Sequence, residues 1–133
     1  MNKQIFVNLP VKNLDRSVEF FTALGYTFNA QYTNEKATCM VISENSIYAM
    51  LLVESFFQTF TTKRIVDARE MAEVSICLSA ESREEVDDMV ARAVAAGATV
   101  PQPPQDYGFM YTHGFEDPDG HTWEYAFMSG EPG

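Results

Sequence analysis

The chain has 133 residues, of which 46% are hydrophobic and 13% aromatic, so it can bury the core of one compact domain and is not disordered. Asp and Glu number 19 against 9 Lys and Arg, and the resulting net charge of −10 disfavours binding to nucleic acid and to anionic membranes. The two cysteines, Cys39 and Cys77, lack the spacing of a metal site and are expected to stay reduced. Because it shows neither a signal peptide nor an apolar run of membrane length, we expect a soluble, cytoplasmic protein.

The first half of the chain predicts a strand, a helix and three more strands. Residues 5–11 alternate between two faces, and Pro10, which cannot donate a hydrogen bond, predicts that this strand ends early or lies at a sheet edge. Asn13 is the expected cap of a helix over residues 14–24, and Gly25 is the glycine that ends it. Three strands follow at residues 26–32, 37–43 and 47–53. The last of them is apolar on both faces, which indicates a central strand.

Three phenylalanines, Phe56, Phe57 and Phe60, give residues 54–60 the pattern of a short helix with one apolar side. Packing in the core or at a subunit interface explains these rings better than stacking on a ligand. Residues 61–71 are polar and charged, and we interpret them as a linker. The predicted organisation is therefore a first module at residues 1–60, the linker at 61–71 and a second module at 72–133.

The second half repeats this order of elements. Residues 72–79 alternate as a strand, and the sequence SREE at residues 82–85 is a capping box that opens a helix. The helix ends at Gly97, and its apolar stripe consists of Val86, Met89, Val90, Ala93 and Val94. A strand that starts at residues 98–100, a proline-rich loop at 101–106 and a glycine-containing strand at 107–116 complete the order.

Residues 117–127, DPDGHTWEYAF, join a tight turn to a final strand. Asp-Pro-Asp-Gly is turn chemistry, because proline pre-sets φ and glycine accepts a positive φ. Alternation along the strand gives one face with Thr122, Glu124 and Ala126 and an apolar face with Trp123, Tyr125 and Phe127. Glu124 therefore faces either water or the inside of a cavity.

Each half thus has the order of a βαβββ module, and the repetition predicts an α+β fold built from two of them. Two such modules bury their helices on one side of mixed sheets and curve the other faces around a cleft, into which Glu124 would point. His113 precedes the turn and is a candidate titrating group in this cleft. His121 lies three residues from Glu124, and therefore on the opposite face of the strand.

Three stretches carry a resemblance to a known family: FVNLPVKNLDRSVEFFTALGY at residues 6–26, VSICLSAESREEV with AAGA in the second half, and GFEDPDGHTWEYAF at 114–127. On these stretches the whole chain resembles the vicinal oxygen chelate superfamily, which contains glyoxalase I, bleomycin-resistance proteins and extradiol dioxygenases. Within it, the chain is most similar to bacterial glyoxalase-like proteins that are labelled as predicted lactoylglutathione lyases. The resemblance implies two cupped sheets around a cleft, and a homodimer.

The resemblance also implies four metal-ligand positions, commonly His, Glu, His and Glu, on the first and last strands of each module. Glu124 matches the last position, whereas the first falls on Phe6 and the second near residues 51–52, which are leucines. The third falls on Glu73, or on Ser75 in a shifted register. Divalent metals need three or four converging ligands, so we expect no catalytic metal and no other cofactor. Glu73 and Glu124 remain the candidate ligands for any divalent metal that binds.

A binding protein is the first of the competing functions. It would resemble bleomycin-resistance proteins and hold a small molecule in the cleft, and the net charge makes a cationic molecule a candidate. The candidate ligand-binding residues are Phe6, Asn8, Met50, Phe109, Tyr111, Phe115 and Glu124, together with Phe56 and Phe57.

The second competing function is that of a lyase or isomerase of glyoxalase type. Glu124 would act as the general base, taking a proton from the carbon next to a carbonyl and returning it to the neighbouring carbon. Without a metal, Asn8, Tyr111 or His113 would have to stabilise the enediolate oxygen. A metal-dependent dioxygenase needs two histidines and a carboxylate, which Phe6 disfavours. A protein that acts through its surface rather than its cleft is the remaining alternative.

Overall fold

A computed structural model describes residues 2–130; Met1 and residues 131–133, the outer ends of the two predicted modules, lie outside the described part. The chain divides into two compact units, which we call unit 1 (through Val66) and unit 2 (from Asp67). The boundary falls within residues 61–71, which contain neither helix nor strand. Each unit consists of a strand, a helix and three strands, so the predicted α+β fold of two βαβββ modules is confirmed.

Unit 1 is a four-stranded mixed sheet with two helices. Its strands are β1 (Ile5–Val11), β2 (Thr27–Asn29), β3 (Ala37–Ser43) and β4 (Ile47–Val53), and its helices are α1 (Leu14–Ala23) and α2 (Glu54–Phe57). Short 3₁₀ turns follow β2 (Ala30–Tyr32) and α2 (Gln58–Phe60). The strand expected over residues 26–32 is therefore shorter than predicted, because its second half forms the first of these turns. The strand order is β1-β4-β3-β2, with β1 parallel to β4 and the other pairs antiparallel. The edge position of β1 and the central position of β4 agree with the predictions from Pro10 and from the apolar faces of β4.

The helix α1 covers one face of this sheet. Its N-terminus is capped by Asn13, whose Oδ1 accepts a hydrogen bond from the Arg16 backbone N–H at 3.0 Å. Its inward residues Phe20, Phe21 and Leu24 are at most 2% exposed. Alternation along the strands places Leu9, Val11, Ala49 and Leu51 on one sheet face and Asn8, Met50 and Leu52 on the other.

Unit 2 has a second four-stranded mixed sheet and one helix. Its elements are β5 (Ser75–Ser79), α3 (Arg83–Ala95), β6 (Gln105–Asp106), β7 (Met110–Glu116) and β8 (Thr122–Met128), and the strand order is β5-β8-β7-β6. Here β5 is parallel to β8, and the other pairs are antiparallel. Among residues 2–130, no helix has the length and apolar character needed to span a membrane.

Four predicted boundaries in unit 2 are corrected. The strand expected over residues 72–79 begins only at Ser75. The strand expected over residues 98–100 is reduced to a single bridge between Thr99 and Glu116, and the loop expected over 101–106 contains β6. The strand β7 begins at Met110 rather than at residue 107, because Gly108 has a φ of 84° and forms a turn whose N–H bonds to Asp106.

The capping box of α3 is present in a modified form. The Ser82 Oγ accepts from the Glu85 backbone N–H at 3.0 Å, as predicted, but the Glu85 carboxylate accepts from the N–H of Glu81 at 2.8 Å. The inward stripe of the helix consists of Val86, Val90 and Ala93, which are buried. Val94 was expected in this stripe but is 50% exposed, because the helix buries a narrower face than the sequence pattern indicates.

The turn between β7 and β8 is built around the buried carboxylate of Asp117, which is 6% exposed. One oxygen accepts from the backbone N–H groups of Asp119 at 2.9 Å and His121 at 3.0 Å. The other accepts from the indole N–H of Trp123 at 3.0 Å. Burial raises the pKa of Asp117, while the charge of His121 and these hydrogen bonds act in the opposite direction. A single side chain thus joins the turn to the core of unit 2.

Gly120 closes the same turn in a conformation that only glycine adopts without strain. Its φ is 92°, and a Cβ at this position would lie 2.6 Å from the Arg69 backbone nitrogen and 2.7 Å from the Ala68 carbonyl carbon. The Arg69 guanidinium donates a hydrogen bond to the Pro118 carbonyl. The start of unit 2 therefore packs directly against the turn.

Replacement of Gly120 by alanine tests this packing. We expect Gly120→Ala to lower the free energy of unfolding by about 2 kcal/mol or more, because it adds a backbone collision to the cost of a positive φ. Gly108→Ala is the matched control, since Gly108 has a φ of 84° but nothing within 4 Å of its Cβ position. Urea denaturation of both variants measures the difference, and equal losses would contradict the packing role of Gly120.

Replacement of Asp117 by asparagine tests the buried carboxylate. The amide of Asp117→Asn turns a donor toward the Trp123 indole N–H or loses its backbone bonds, so we expect a loss of about 1–3 kcal/mol in unfolding free energy. The raised pKa means that folded Asp117 binds its proton more tightly than unfolded Asp117 does, so its contribution to stability declines as pH rises through the folded pKa. The advantage of the wild type should thus be larger at pH 4 than at pH 7.

Fluorescence of Trp123, the one tryptophan of the sequence, reports the unfolding of these variants. Asp106→Asn is a control for which the opposite pH dependence of stability is expected, because the hydrogen bond from Arg83 lowers the pKa of Asp106 to about 2. The contribution of Asp106 is therefore present above its unfolded pKa and is lost as pH falls. If the stability advantage of the wild type over both variants changed in the same direction with pH, the effect assigned to the raised pKa of Asp117 would be wrong.

Candidate functional site

Unit 1 contains a cavity of about 410 Å³ between the sheet face away from α1 and the segment that contains α2. We call this cavity the aromatic pocket, because three of its eight lining residues are phenylalanines. The lining residues are Asn8, Ala37, Met50, Leu52, Phe56, Phe57, Phe60 and Thr61.

The strand register explains how the floor of the pocket forms. Asn8 is paired with Met50 across β1 and β4, and Ala37 is paired with Leu52 across β3 and β4. Paired residues in neighbouring strands point to the same face of a sheet, so these four side chains form one continuous surface. Ala37 and Leu52 are buried, which leaves Asn8 and Met50 as the more open part of this floor.

The wall of the pocket is the segment from α2 to Thr61. The segment begins directly after β4, and its N-cap residue Val53 makes no side-chain capping hydrogen bond. The rings of Phe56 and Phe60 meet edge to face, with centroids 5.1 Å apart and planes at 75°. Phe60 remains 67% exposed, so an apolar surface is still open to a ligand or a partner.

Two polar side chains, Asn8 and Thr61, line the aromatic pocket. The Thr61 hydroxyl accepts a hydrogen bond from the Lys63 backbone N–H at 3.1 Å. The Asn8 amide forms no hydrogen bond with any residue between 2 and 130. The lining contains no acidic or basic side chain. The pocket is therefore suited to an uncharged apolar molecule with a polar group that reaches Asn8.

Glu124 lies on the face of the unit 2 sheet away from α3, as the alternation of β8 predicted. The neighbours Trp123 and Tyr125 are buried on the other face, at 1% and 3% exposure. The Ser75 hydroxyl donates a hydrogen bond to Glu124 Oε2 at 2.8 Å. Gly114 pairs with Glu124 across β7 and β8, and a Cβ there would lie 2.9 Å from Glu124 Cγ. The absence of a side chain at Gly114 thus makes room for the carboxylate.

Cys77 is the partner of Glu124 on the other side, in the parallel pair of β5 and β8. Partial burial, and then the negative charge of Glu124, raise the pKa of the Cys77 thiol. The environment of Cys77 therefore favours the thiol over the thiolate.

The register of β7 corrects the placement of Tyr111, His113 and Phe115. These residues pair with Phe127, Tyr125 and Trp123, so they lie on the face opposite to Glu124. Phe115 is 1% exposed in the core. The His113 ring nitrogen Nε2 lies 3.1 Å from the carbonyl of Gln102. The sequence suggested a cleft position for all three because alternation defines two faces but does not say which one a helix covers.

Tyr111 is held on the helix side by charged residues. Its hydroxyl donates to Asp87 of α3 at 2.6 Å, and the Arg83 guanidinium lies 4.9 Å from the centre of its ring. Arg83 also binds Asp106 of β6 through two hydrogen bonds, at 2.7 and 3.1 Å. Hydrogen bonding to Asp87 raises the pKa of Tyr111. These contacts join α3 to the edge of the sheet. They give Tyr111 a structural role in place of the predicted role in ligand binding.

Phe6 and Phe109 take other positions. Phe6 is 49% exposed and stacks on Tyr48 with ring centroids 4.9 Å apart, on the same sheet face as Asn8 but outside the pocket lining. Phe109 precedes β7, and its carbonyl accepts from the Ser129 N–H at 2.8 Å. Of the candidate binding residues, the structure brings together Asn8, Met50, Phe56 and Phe57.

Several residues of both sites lacked a clear signal in the sequence. Ala37, Leu52 and Thr61 have no local pattern that distinguishes a pocket residue from a core or loop residue. Phe60 was assigned to packing rather than to a ligand site. Gly114 was detectable in principle, because a glycine inside a strand often marks the close approach of another group.

The described residues do not fit the four-ligand metal site that the resemblance implies. Glu73 is exposed and precedes β5, and Ser75 is the residue of this strand that contacts Glu124. Within residues 2–130, no three His, Cys, Asp or Glu side chains are grouped so that they could hold a metal ion. We therefore derive no chemical step through a metal.

A comparison with protein-family profiles shows the family of the chain. The profile of the Glyoxalase/Bleomycin resistance protein/Dioxygenase superfamily matches residues 3–125. The chain belongs to this superfamily, as its sequence motifs indicated. A search of curated proteins gives no significant match.

Solved structures show the same fold. A hypothetical protein from S. aureus is 28% identical, with a TM-score of 0.79 over 96% of this chain and 94% of the other. A glyoxalase-related enzyme from Fulvimarina pelagi has a TM-score of 0.80 at 20% identity, over 96% and 88% of the two chains. The fosfomycin resistance protein FosX from Listeria monocytogenes has a TM-score of 0.69 at 17% identity, over 96% and 93%. The last two comparisons establish similarity of fold alone.

Proposed function

We propose that this protein binds a small, largely apolar aromatic molecule in the aromatic pocket and does so without a catalytic metal. The observation that supports this function is the lining of the pocket, where the rings of Phe56, Phe57 and Phe60 face apolar sheet residues. Cavities of 300–1,000 Å³ with mostly apolar walls and few polar groups are the usual form of small-molecule sites. The cavity of about 410 Å³ lies within that range.

The size of the expected affinity follows from the buried area. An aromatic group of two rings buries on the order of 150–250 Å², which contributes about 4–6 kcal/mol at 25 cal/mol per Å². Part of this energy offsets the lost freedom of the ligand, so a two-ring probe should bind with a Kd near the millimolar range. A natural ligand with more contacts would bind more tightly.

The charge of the ligand is secondary in this proposal. The net charge of −10 attracts cations over long distances, and phenylalanine faces attract cations nearby. The pocket lining contains no carboxylate to pair with a cation. A positive group is therefore favoured by the surroundings but not required by the site.

A homodimer is part of the same proposal. Family resemblance suggests it, and Phe60 at 67% exposure provides an apolar surface of the kind found at subunit contacts. Light scattering should give twice the chain mass of 15.0 kDa. The mass of each variant must be compared in this way before a loss of binding is assigned to the pocket.

Quinoline, a neutral two-ring molecule at pH 7.5, is a suitable probe of the pocket. We expect Phe57→Ala to weaken quinoline binding about tenfold, because one ring of the wall is removed. Tyr32→Ala is the control, since Tyr32 is a 60% exposed aromatic residue of unit 1 that does not line the pocket. Titration followed by ligand-observed NMR measures both affinities. Equal binding by the wild type and Phe57→Ala would contradict the proposal.

A lyase or isomerase of glyoxalase type is the second candidate, and the positioning of Glu124 by Ser75 and Gly114 is the observation that favours it. A carboxylate held by a 2.8 Å hydrogen bond is suited to take a proton from carbon next to a carbonyl and to return it to the adjacent carbon. This candidate ranks second because Tyr111 and His113, two of the proposed oxyanion donors, lie on the other sheet face.

Turnover of the hemithioacetal of methylglyoxal and glutathione tests the second candidate. Glu124→Gln should abolish any activity of the wild type, and Ser75→Ala should lower kcat about tenfold because the base loses its orientation. Formation of the thioester product, followed by its ultraviolet absorbance, is the measurement. A wild-type rate no higher than that of Glu124→Gln would exclude this reaction and leave the binding function.

A further inference from the structure

The uncharged amide of Asn8 lies at the open side of the apolar floor of the aromatic pocket, whose lining has Thr61 as its other polar side chain. We propose that Asn8 selects the ligand, and that the pocket prefers planar aromatic molecules whose edge carries a hydrogen-bond donor beside an acceptor, as in a lactam or a carboxamide. This inference rests on the proposed binding function of the aromatic pocket and names the class of ligand that the pocket takes.

The position of Asn8 makes it an unusual residue of its strand. It lies in the middle of β1, where Phe6 and Pro10 are its neighbours on the same face and Met50 is its partner on β4. These residues are apolar, and strand positions of this kind favour β-branched or aromatic side chains over asparagine. Asn8 is exposed at the open side of this floor, where a ligand can reach its amide.

The hydrogen-bonding capacity of Asn8 is available to a ligand. Its side chain offers a carbonyl oxygen and two N–H donors, and none of them is engaged by another residue of the described part of the chain. Thr61, the other polar residue of the lining, accepts a bond from Lys63 and has one hydroxyl donor, whereas Asn8 offers N–H donors beside a carbonyl acceptor on one planar group. A polar ligand edge therefore finds its complement at Asn8.

The chemistry of an amide determines which ligand groups fit. An ammonium or a carboxylate that enters the pocket loses its hydration beside phenylalanine, methionine and leucine, and the lining provides no opposite charge. A lactam edge remains neutral and pairs its N–H and C=O with the complementary groups of the amide. A ligand without such an edge covers the amide and leaves it without water, which disfavours that ligand about tenfold.

Two closely similar probes test the proposal. 2-Quinolone carries the lactam N–H and C=O, and N-methyl-2-quinolone keeps the ring system and the carbonyl but lacks the donor. We expect the wild type to bind 2-quinolone about tenfold more tightly than the N-methyl compound. Asn8→Leu, a variant of similar size, should lose this preference while it binds quinoline at least as tightly as the wild type does. Calorimetric or NMR titration measures the ratio of the two dissociation constants.

Further variants keep the test decisive. Asn8→Ala replaces Asn8→Leu if leucine disturbs the strand, and thermal unfolding checks that either variant is folded. Asn8→Asp keeps the acceptor for the lactam N–H but loses the donors, so it should keep the preference while it binds both quinolones less tightly than the wild type does. A preference that persists in folded Asn8→Leu or Asn8→Ala, or its absence in the wild type, would overturn the role of Asn8.

Quinoline separates the failure of this inference from the failure of the proposed function. If the wild type binds quinoline but does not distinguish the two quinolones, the aromatic pocket is a binding site and only the role of Asn8 is refuted. If the wild type binds none of the three probes, both the proposed function and the role of Asn8 are refuted.

Discussion

The carboxylate of Asp117 is the interaction on which the second unit depends. It accepts two backbone N–H groups of its own turn and the indole N–H of Trp123, all at 2.9–3.0 Å. A buried carboxylate is costly unless donors surround it, and here the donors belong to the turn and to the largest core side chain. The hydrogen bonds of Asp117 therefore set the direction in which the chain enters β8, in addition to the turn propensity of the sequence. Because alternate strand residues face opposite sides, anchoring Trp123 in the core also directs Glu124 to the other face.

The two sheets share an architecture but differ in the chemistry of one face. This is the face away from α1 in unit 1 and the face away from α3 in unit 2. In unit 1 this face is apolar, receives the phenylalanines of the α2 segment and contains the Asn8 amide, which bonds to no residue between 2 and 130. In unit 2 the corresponding face holds a hydrogen-bonded pair, Ser75 and Glu124, beside the Cys77 side chain. The first surface is suited to hold the body of an organic molecule, and the second to exchange a proton with one. One fold can thus support binding and acid–base chemistry, and the side chains decide between them.

Alternation, capping residues and turn residues predicted most of the fold. The bounds of β1, β3 and β4 agreed with the sequence, because each is a clear apolar run between turn signals. Relations between strands could not be predicted in the same way. The faces of Tyr111, His113 and Phe115 depend on the pairing of β7 with β8, and the pocket depends on a short segment folding back over the sheet. Both are tertiary properties, and local patterns do not encode them.

The central claim, that a ligand occupies the aromatic pocket and contacts Asn8, is tested most directly by intermolecular nuclear Overhauser effects. Protein labelled with ¹⁵N and ¹³C would be saturated with 2-quinolone. We expect contacts from the probe to the Asn8 side-chain amide, the Met50 methyl group and the ring of Phe57. Contacts that are confined to other surfaces, such as the α3 side of the unit 2 sheet, would contradict it.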